Sequence, residues 1–260
     1  MAWVLDLDGV IWLAHVPIEG AAEAVAMLDA AGEEVLFVTN FSALRLADAE
    51  QKLADCGIDA AGRVITSAMA AASLVEPGER VMVCGGEGVW EAIEARGAVA
   101  LDPGDGIGHH KDVDAVVVGF HRNFDFGRLA AAVRAIHEGA RLISTNADPT
   151  YPTPTGLLPG NGALVAAVAT AGKVDAVIAG KPHPPVARLV HERLGSTQGD
   201  RSHIVVGDLP ATDGMLAHEL GFRFGLVLSG VTPPSAVPSI DPAPDVVADD
   251  LLTLVTDLLR

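Results

Sequence analysis

The sequence predicts an α/β fold with a doubly wound parallel sheet, and three observations carry that reading. Short Val/Leu/Ile runs recur from end to end, Ala-rich stretches with helical spacing separate them, and glycines punctuate the ends of those stretches. Apolar runs that are continuous rather than alternating mark strands buried on both faces, as parallel strands covered by helices are. Strand and helix in alternation then give α/β layers.

Taken in order, the strand-like runs are 3–7, 35–39, 80–84, 115–119, 141–144, 176–179, 203–206 and 224–228. The clearest helical stretches are 21–31, 43–56 and 126–138. Gly32, Gly57, Gly97, Gly139, Gly172 and Gly221 stand where a helix C-terminus wants a left-handed residue. A proline-rich surface loop is expected over 231–244, followed by a terminal helix from about Asp249.

The 260 residues are half hydrophobic, enough for a buried core, and carry a formal net charge of -17. Such a surface repels polyanions, and no Lys/Arg run offsets it, so neither nucleic acid nor an anionic membrane is an expected partner. Cys56 and Cys84 lie on separate elements and give neither a disulfide framework nor a zinc site. No apolar run reaches the ~20 residues of a membrane span, and the first ten residues lack the pattern of a signal peptide. The expected location is cytoplasmic.

Polar residues gather at strand ends, where open α/β sheets bind ligands. The first group is Asp6-Leu7-Asp8-Gly9: two carboxylates two residues apart, with a glycine free to turn. Neighbouring carboxylates repel unless a cation joins them or one is protonated. A hard ion such as Mg²⁺, which takes a few carboxylates, waters and a substrate phosphate, fits that need. One carboxylate then serves as nucleophile on phosphorus while the other protonates the leaving oxygen. Thr39 and Asn40 end the next strand and offer a hydroxyl and an amide to a phosphate, helped by N–H groups of the helix that follows; Ser42 reads as that helix's N-cap. Lys181, in Gly180-Lys181-Pro182-His183-Pro184, supplies an ammonium held by a proline-stiffened backbone. Asp208 ends a further strand as a third carboxylate. Thr212 and Asp213 read alternatively as the cap and first turn of the next helix.

In this order along the chain, the motifs resemble those of haloacid-dehalogenase-superfamily phosphatases, subclass IIA, the group related to NagD and p-nitrophenyl phosphatase. The resemblance implies a Rossmann-like core, a covalent aspartyl-phosphate and Mg²⁺. It makes Asp6 the nucleophile and a metal ligand, and Asp8 the acid/base and a ligand through its main-chain carbonyl. It gives Thr39 and Asn40 to the phosphate, Lys181 to orientation, and Asp208 to the metal. Asp213 would support the metal's water shell or Lys181.

Spacing adds a second domain. Asp8 and Thr39 are 31 positions apart, room for one helix and one strand, whereas Thr39 and Lys181 are 142 apart. The excess, at 77–174, is α/β in pattern and is expected to be an inserted C2-type cap, leaving 1–76 and 175–260 as a discontinuous catalytic core. Within it the polar, proline-rich segment 144–154 resembles the loop that meets substrate in the subgroup, with Asp148 and Tyr151 as specificity candidates. Four positions depart from the family pattern: Phe41, Leu209, Pro210 and Gly214. Cys84-Gly85-Gly86-Glu87-Gly88 lacks a nucleotide fingerprint, and His109-His110 reads as a loop.

The leading reading is therefore Mg²⁺-dependent hydrolysis of a small phosphate monoester, such as a sugar phosphate, glycerol phosphate, nucleotide or pyridoxal phosphate. The alternative is a phosphate-sensing module with a stable phospho-aspartate. Asp8 favours turnover, because a nearby base activates water. Carbon–halogen hydrolysis needs neither a metal nor an acid at position 8, and a mutase carries its insertion between Asp8 and Thr39, where there is no room. Dimerisation through the cap is the expected assembly.

Overall fold

In the computed structural model, residues 1–14, 16–105, 112–153 and 156–260 are described. His109-His110 and Pro154 lie outside them. The chain forms two compact units, one of Met1–Thr39, Ala47–Ile65 and Lys181–Arg260, the other of Asn40–Leu46 and Thr66–Gly180.

The first unit is built on a six-stranded sheet in the order Val246–Ala248, Arg223–Val227, Ile204–Gly207, Ala2–Leu5, Glu34–Thr39, Val64–Thr66. Ala2–Leu5 runs parallel to both neighbours, pairing Leu5 with Val206 on one side and with Phe37 on the other. The chain thus winds outward in both directions from this strand, which sets a topological switch point at the end carrying Asp6. Trp3, Leu5, Phe37 and Ile204 are fully buried at the sheet's centre, each worth about 1.5–3 kcal/mol over the exposed state. Two helices, Ala21–Ala30 and Leu251–Leu258, pack on each other. Asp250 caps the second, accepting from the Thr253 N–H at 2.8 Å.

The second unit holds a five-stranded parallel sheet in the order Val177–Ile178, Arg141–Ser144, Ala115–Val118, Arg80–Cys84, Val99–Leu101. Its core sets Val116, Val118 and Leu142 against Ala132, Ala135 and Val168 of the helices Phe126–His137 and Asn161–Gly172. An antiparallel hairpin pairs Thr150–Thr153 with Gly156–Pro159.

Several local expectations change. The second helix begins at Leu46, not Ala43, so Ser42 is no N-cap; it is buried, and its Oγ accepts from the Phe120 N–H and the Thr145 hydroxyl. Gly172 lies inside its helix, and Lys173 takes the left-handed position beyond it. Thr212 sits within a π-helical turn, Pro210–Gly214, and donates to the Leu209 carbonyl instead of capping. The run Gly85-Gly86-Glu87-Gly88 is a packing device: a Cβ on Gly88 would come within 1.9 Å of the Leu44 carbonyl oxygen. The 231–244 stretch is not wholly a surface loop, because Thr232 is buried at its start.

Candidate active site

Strand ends assemble the site in the first unit. Asp6 leaves the Ala2–Leu5 strand, tied by its N–H to the Val206 carbonyl at 2.9 Å. Lys181 places its ammonium 2.6 Å from Asp6 Oδ1 and 2.8 Å from Asp213 Oδ1. Asp213 is fully buried, and its second oxygen accepts the Leu209 N–H at 3.1 Å, so both oxygens are engaged. Carboxylate oxygens of Asp6, Asp208 and Asp213, one from each, lie within 4.8 Å of one another.

The glycines of the motifs now have a physical reason. A Cβ on Gly9, whose φ is +80°, would stand 2.4 Å from the Asp208 carboxylate. One on Gly230 would stand 1.9 Å from Asp208 Oδ2, and one on Gly207 would stand 2.2 Å from the Asp213 carboxylate. Backbone is therefore pressed directly against two acids. Gly214 makes room for the Phe224 ring, 3.0 Å from where its Cβ would be, which accounts for one departure from the family pattern. Pro210 opens the π-helical turn that carries Asp213, a bulge of the kind found at functional sites.

The loop after the Arg223–Val227 strand completes the surroundings of Asp208, a role that the expected surface loop over 231–244 did not include. The Val231 N–H donates to Asp208 Oδ2 at 2.7 Å, the Thr232 hydroxyl donates to the Asp208 carbonyl, and the Ser229 hydroxyl donates to the Gly9 carbonyl at 2.7 Å. Its position at the end of a strand was the signal available.

Electrostatics follow from this crowding. Burial, then the nearby Asp213, pushes Asp208 up to about 6, with the Val231 N–H pulling the other way. Burial also raises Asp6 well above the carboxylate range; Lys181 opposes, while Asp213 and Asp208 add to the rise. For Lys181, burial favours the neutral amine, but Asp213 and Asp6 outweigh it and hold the ammonium charged. Three acids thus share one ammonium.

Asp8 is exposed, and its carboxylate is not part of the three-acid group; Oδ1 accepts from the Trp12 indole at 3.0 Å. Thr39 is buried at the end of the strand beside Ala2–Leu5. Asn40 begins the second unit, where its amide donates to Asp148 Oδ2 at 3.0 Å and its carbonyl accepts from Ser67 Oγ and Asn146 Nδ2. Tyr151 packs edge-on to Phe120, 4.8 Å between ring centres, and its hydroxyl accepts from Arg122. Phe41 also packs on Phe120, 5.9 Å between ring centres.

Comparison with known proteins gives the family. Residues 3–99 match the haloacid dehalogenase-like hydrolase family, and residues 178–254 match a second, HAD-hydrolase-like family. An acid sugar phosphatase of Staphylococcus saprophyticus is 33% identical over 99% of this chain and 97% of its own. The chain belongs to the haloacid dehalogenase-like hydrolases. Among solved members of that family, the glycerol phosphate phosphatase of Mycobacterium tuberculosis, in complex with magnesium, superposes with a TM-score of 0.87 at 32% identity, covering 97% of this chain and 75% of that one. The p-nitrophenyl phosphatase of Archaeoglobus fulgidus gives 0.89 at 27% identity, covering 98% of both. Within the family the chain falls in subclass IIA and is a phosphoric monoester hydrolase. As a haloacid dehalogenase-like hydrolase it has the Rossmann-like core, and among its described residues no helix is long and apolar enough to cross a membrane.

Proposed function

We propose that this hydrolase removes phosphate from a small phosphorylated metabolite, with Mg²⁺ and through a phosphoryl group carried by Asp6. The observation that carries the reading is the three-acid group with one shared ammonium. An excess of buried carboxylate over positive charge is the environment in which a hard divalent ion is favourable, and oxygen donors suit Mg²⁺. Asp6, Asp208 and the main-chain carbonyl of Asp8 would hold the ion. Asp213, with both oxygens engaged, acts through Lys181 and the surrounding waters. When bound, the ion screens the negative charge of the phosphate and of the nucleophile.

In the first step an oxygen of Asp6 bonds to phosphorus while the bond to the leaving oxygen breaks, and Asp8 gives that oxygen its proton. In the second, Asp8 takes a proton from water, the hydroxide bonds to phosphorus, the bond to Asp6 breaks, and inorganic phosphate leaves. Lys181 fixes Asp6 through both, while Thr39 and Asn40 hold the phosphate oxygens.

The catalytic core is then 1–76 with 175–260 and the C2-type cap 77–174, with Asp148 and Tyr151 in the substrate-facing role. The Asn40–Asp148 bond supports this for Asp148, since it sets that carboxylate beside a residue expected to hold phosphate. Sugar phosphates and glycerol phosphates are the first substrates to try, given the names of the relatives. A homodimer through the cap, the absence of nucleic-acid or membrane binding, and a cytoplasmic location complete the proposal. Phosphate release over a panel of metabolites, with and without Mg²⁺, tests it. Asp6→Asn and Asp8→Asn are each expected to abolish Mg²⁺-dependent release, and full activity in either overturns the mechanism. Retention of label from a phosphodonor without turnover would favour the sensing alternative.

A further inference from the structure

We propose that Trp12 is a positioning residue for the Asp8 carboxyl group, holding it away from the three-acid cluster and free for proton transfer. The inference rests on the phosphatase reading above and adds a residue that it does not use.

The turn that carries both side chains is tightly closed. The N–H groups of Val10, Ile11 and Trp12 all converge on the Leu7 carbonyl, at 3.3, 2.9 and 3.2 Å, and the Gly9 N–H returns to the Trp12 carbonyl at 2.7 Å. Gly9 takes the left-handed conformation this closure needs, with φ at +80°. Trp12 is 3% exposed and its ring is fixed, whereas Asp8 is exposed. In their 3.0 Å hydrogen bond it is therefore the indole that sets the orientation of the carboxylate. Lys52, from the Leu46–Asp55 helix, places its ammonium 3.8 Å from the centre of the indole ring and presses that face in place.

A carboxylate near a hard cation has two fates, ligand or proton carrier. Asp6 and Asp208 are gathered for the first, and Asp8 is not among them. An indole is suited to enforcing the second. Its N–H donates only, so it neither takes the proton from Asp8 nor binds the metal itself. The proton that Asp8 carries passes to the leaving oxygen as the phosphorus–oxygen bond breaks. A misplaced donor matters most when that oxygen is basic. An alkoxide needs the proton, whereas p-nitrophenolate departs without it. The competing explanation is that Asp8 merely satisfies a buried indole N–H.

The two explanations separate by leaving group. In the Mg²⁺-loaded enzyme, Trp12→Phe keeps the ring and removes the N–H. We expect kcat/KM for glycerol phosphate to fall at least about tenfold more than kcat/KM for p-nitrophenyl phosphate. Trp12→His keeps a ring N–H at the corresponding position and is expected to recover most of the difference. Lys52→Met, which leaves the turn intact, should give the same direction of split at about threefold. Equal losses on both substrates in Trp12→Phe and Lys52→Met, or no loss on either, would overturn the proposal while leaving the phosphatase reading standing. A wild-type enzyme without Mg²⁺-dependent release would overturn both.

Discussion

The two sheets are built alike and bury opposite chemistry at their strand ends. Around the first, the buried polar side chains include Lys181, Asp208 and Asp213 beside Thr39 and Thr232. Among the described residues of the second unit they are Ser42, Thr66, Ser67, Ser144, Thr145, Asn146 and Asn161, all neutral. The neutral set is largely satisfied from within: Asn161 Nδ2 reaches Ser144 Oγ and the Asn146 carbonyl, both at 2.8 Å, and Thr145 donates to Ser42. The ionic set is not, since its acids outnumber its ammonium. Parallel strands alone create a place where polar groups converge; whether it is a scaffold or a site depends on whether charge there is balanced.

The comparison breaks first at Lys181. Lys181→Met removes the ammonium that pairs with Asp6 and Asp213, and phosphate release should drop by about 10²–10³-fold. Stability should fall by about 3–5 kcal/mol as the acids are left unpaired. A drop below threefold in steady-state turnover would mean that the ammonium is not used. Gly230→Ala comes next, since its Cβ would collide with Asp208 Oδ2. Mg²⁺ affinity should weaken by about 10–100-fold in calorimetric titration, with the fold intact by circular dichroism.

The third prediction concerns pH. In the folded, metal-free protein Asp208 is raised to about 6 from the ordinary 3.8. A raised carboxyl group binds more protons folded than unfolded, so its stabilising share is complete below about 3.8 and is lost as pH rises through about 6. With EDTA present, wild type should therefore lose up to about 2–3 kcal/mol relative to Asp208→Asn between pH 4 and pH 7. Saturating Mg²⁺ should cancel that loss. Parallel melting curves for the two proteins in EDTA would contradict it.

The smallest effect belongs to the neutral network. Asn161→Ala removes the amide that donates to Ser144 Oγ and to the Asn146 carbonyl, and a cost of about 1–3 kcal/mol in denaturant unfolding is expected, with Mg²⁺ affinity unchanged. A change in Mg²⁺ affinity would erase the contrast between the two sheets.

Much of this was legible in the sequence because strand ends announce themselves. The runs 3–7, 35–39 and 203–206 are apolar apart from a few polar residues at their ends, so Asp6, Thr39 and Asp208 stood out. The Val64–Thr66 and Val99–Leu101 strands escaped because three residues carry no periodicity. The Thr150–Thr153 and Gly156–Pro159 hairpin contains proline in both strands and exposes Leu157, so neither its composition nor its pattern reads as a strand. Gly230 and Val231 were hidden for another reason. Their contribution is a missing side chain and a main-chain N–H, neither of which has a sequence signature. Asp8 was found as a residue, but not the indole that orients it, because that pairing depends on how the turn closes.

The central claim is that the unbalanced charge in the first unit makes Asp6 the carrier of phosphate. It is tested most directly by acid-quenching the Mg²⁺-loaded enzyme during turnover of glycerol phosphate and mapping the phosphoryl group by mass spectrometry. The account predicts a phosphoryl group on Asp6, lost in Asp6→Asn. A phosphoryl group on another residue, or release of p-nitrophenol by Asp8→Asn with no phosphorylated protein, would contradict it.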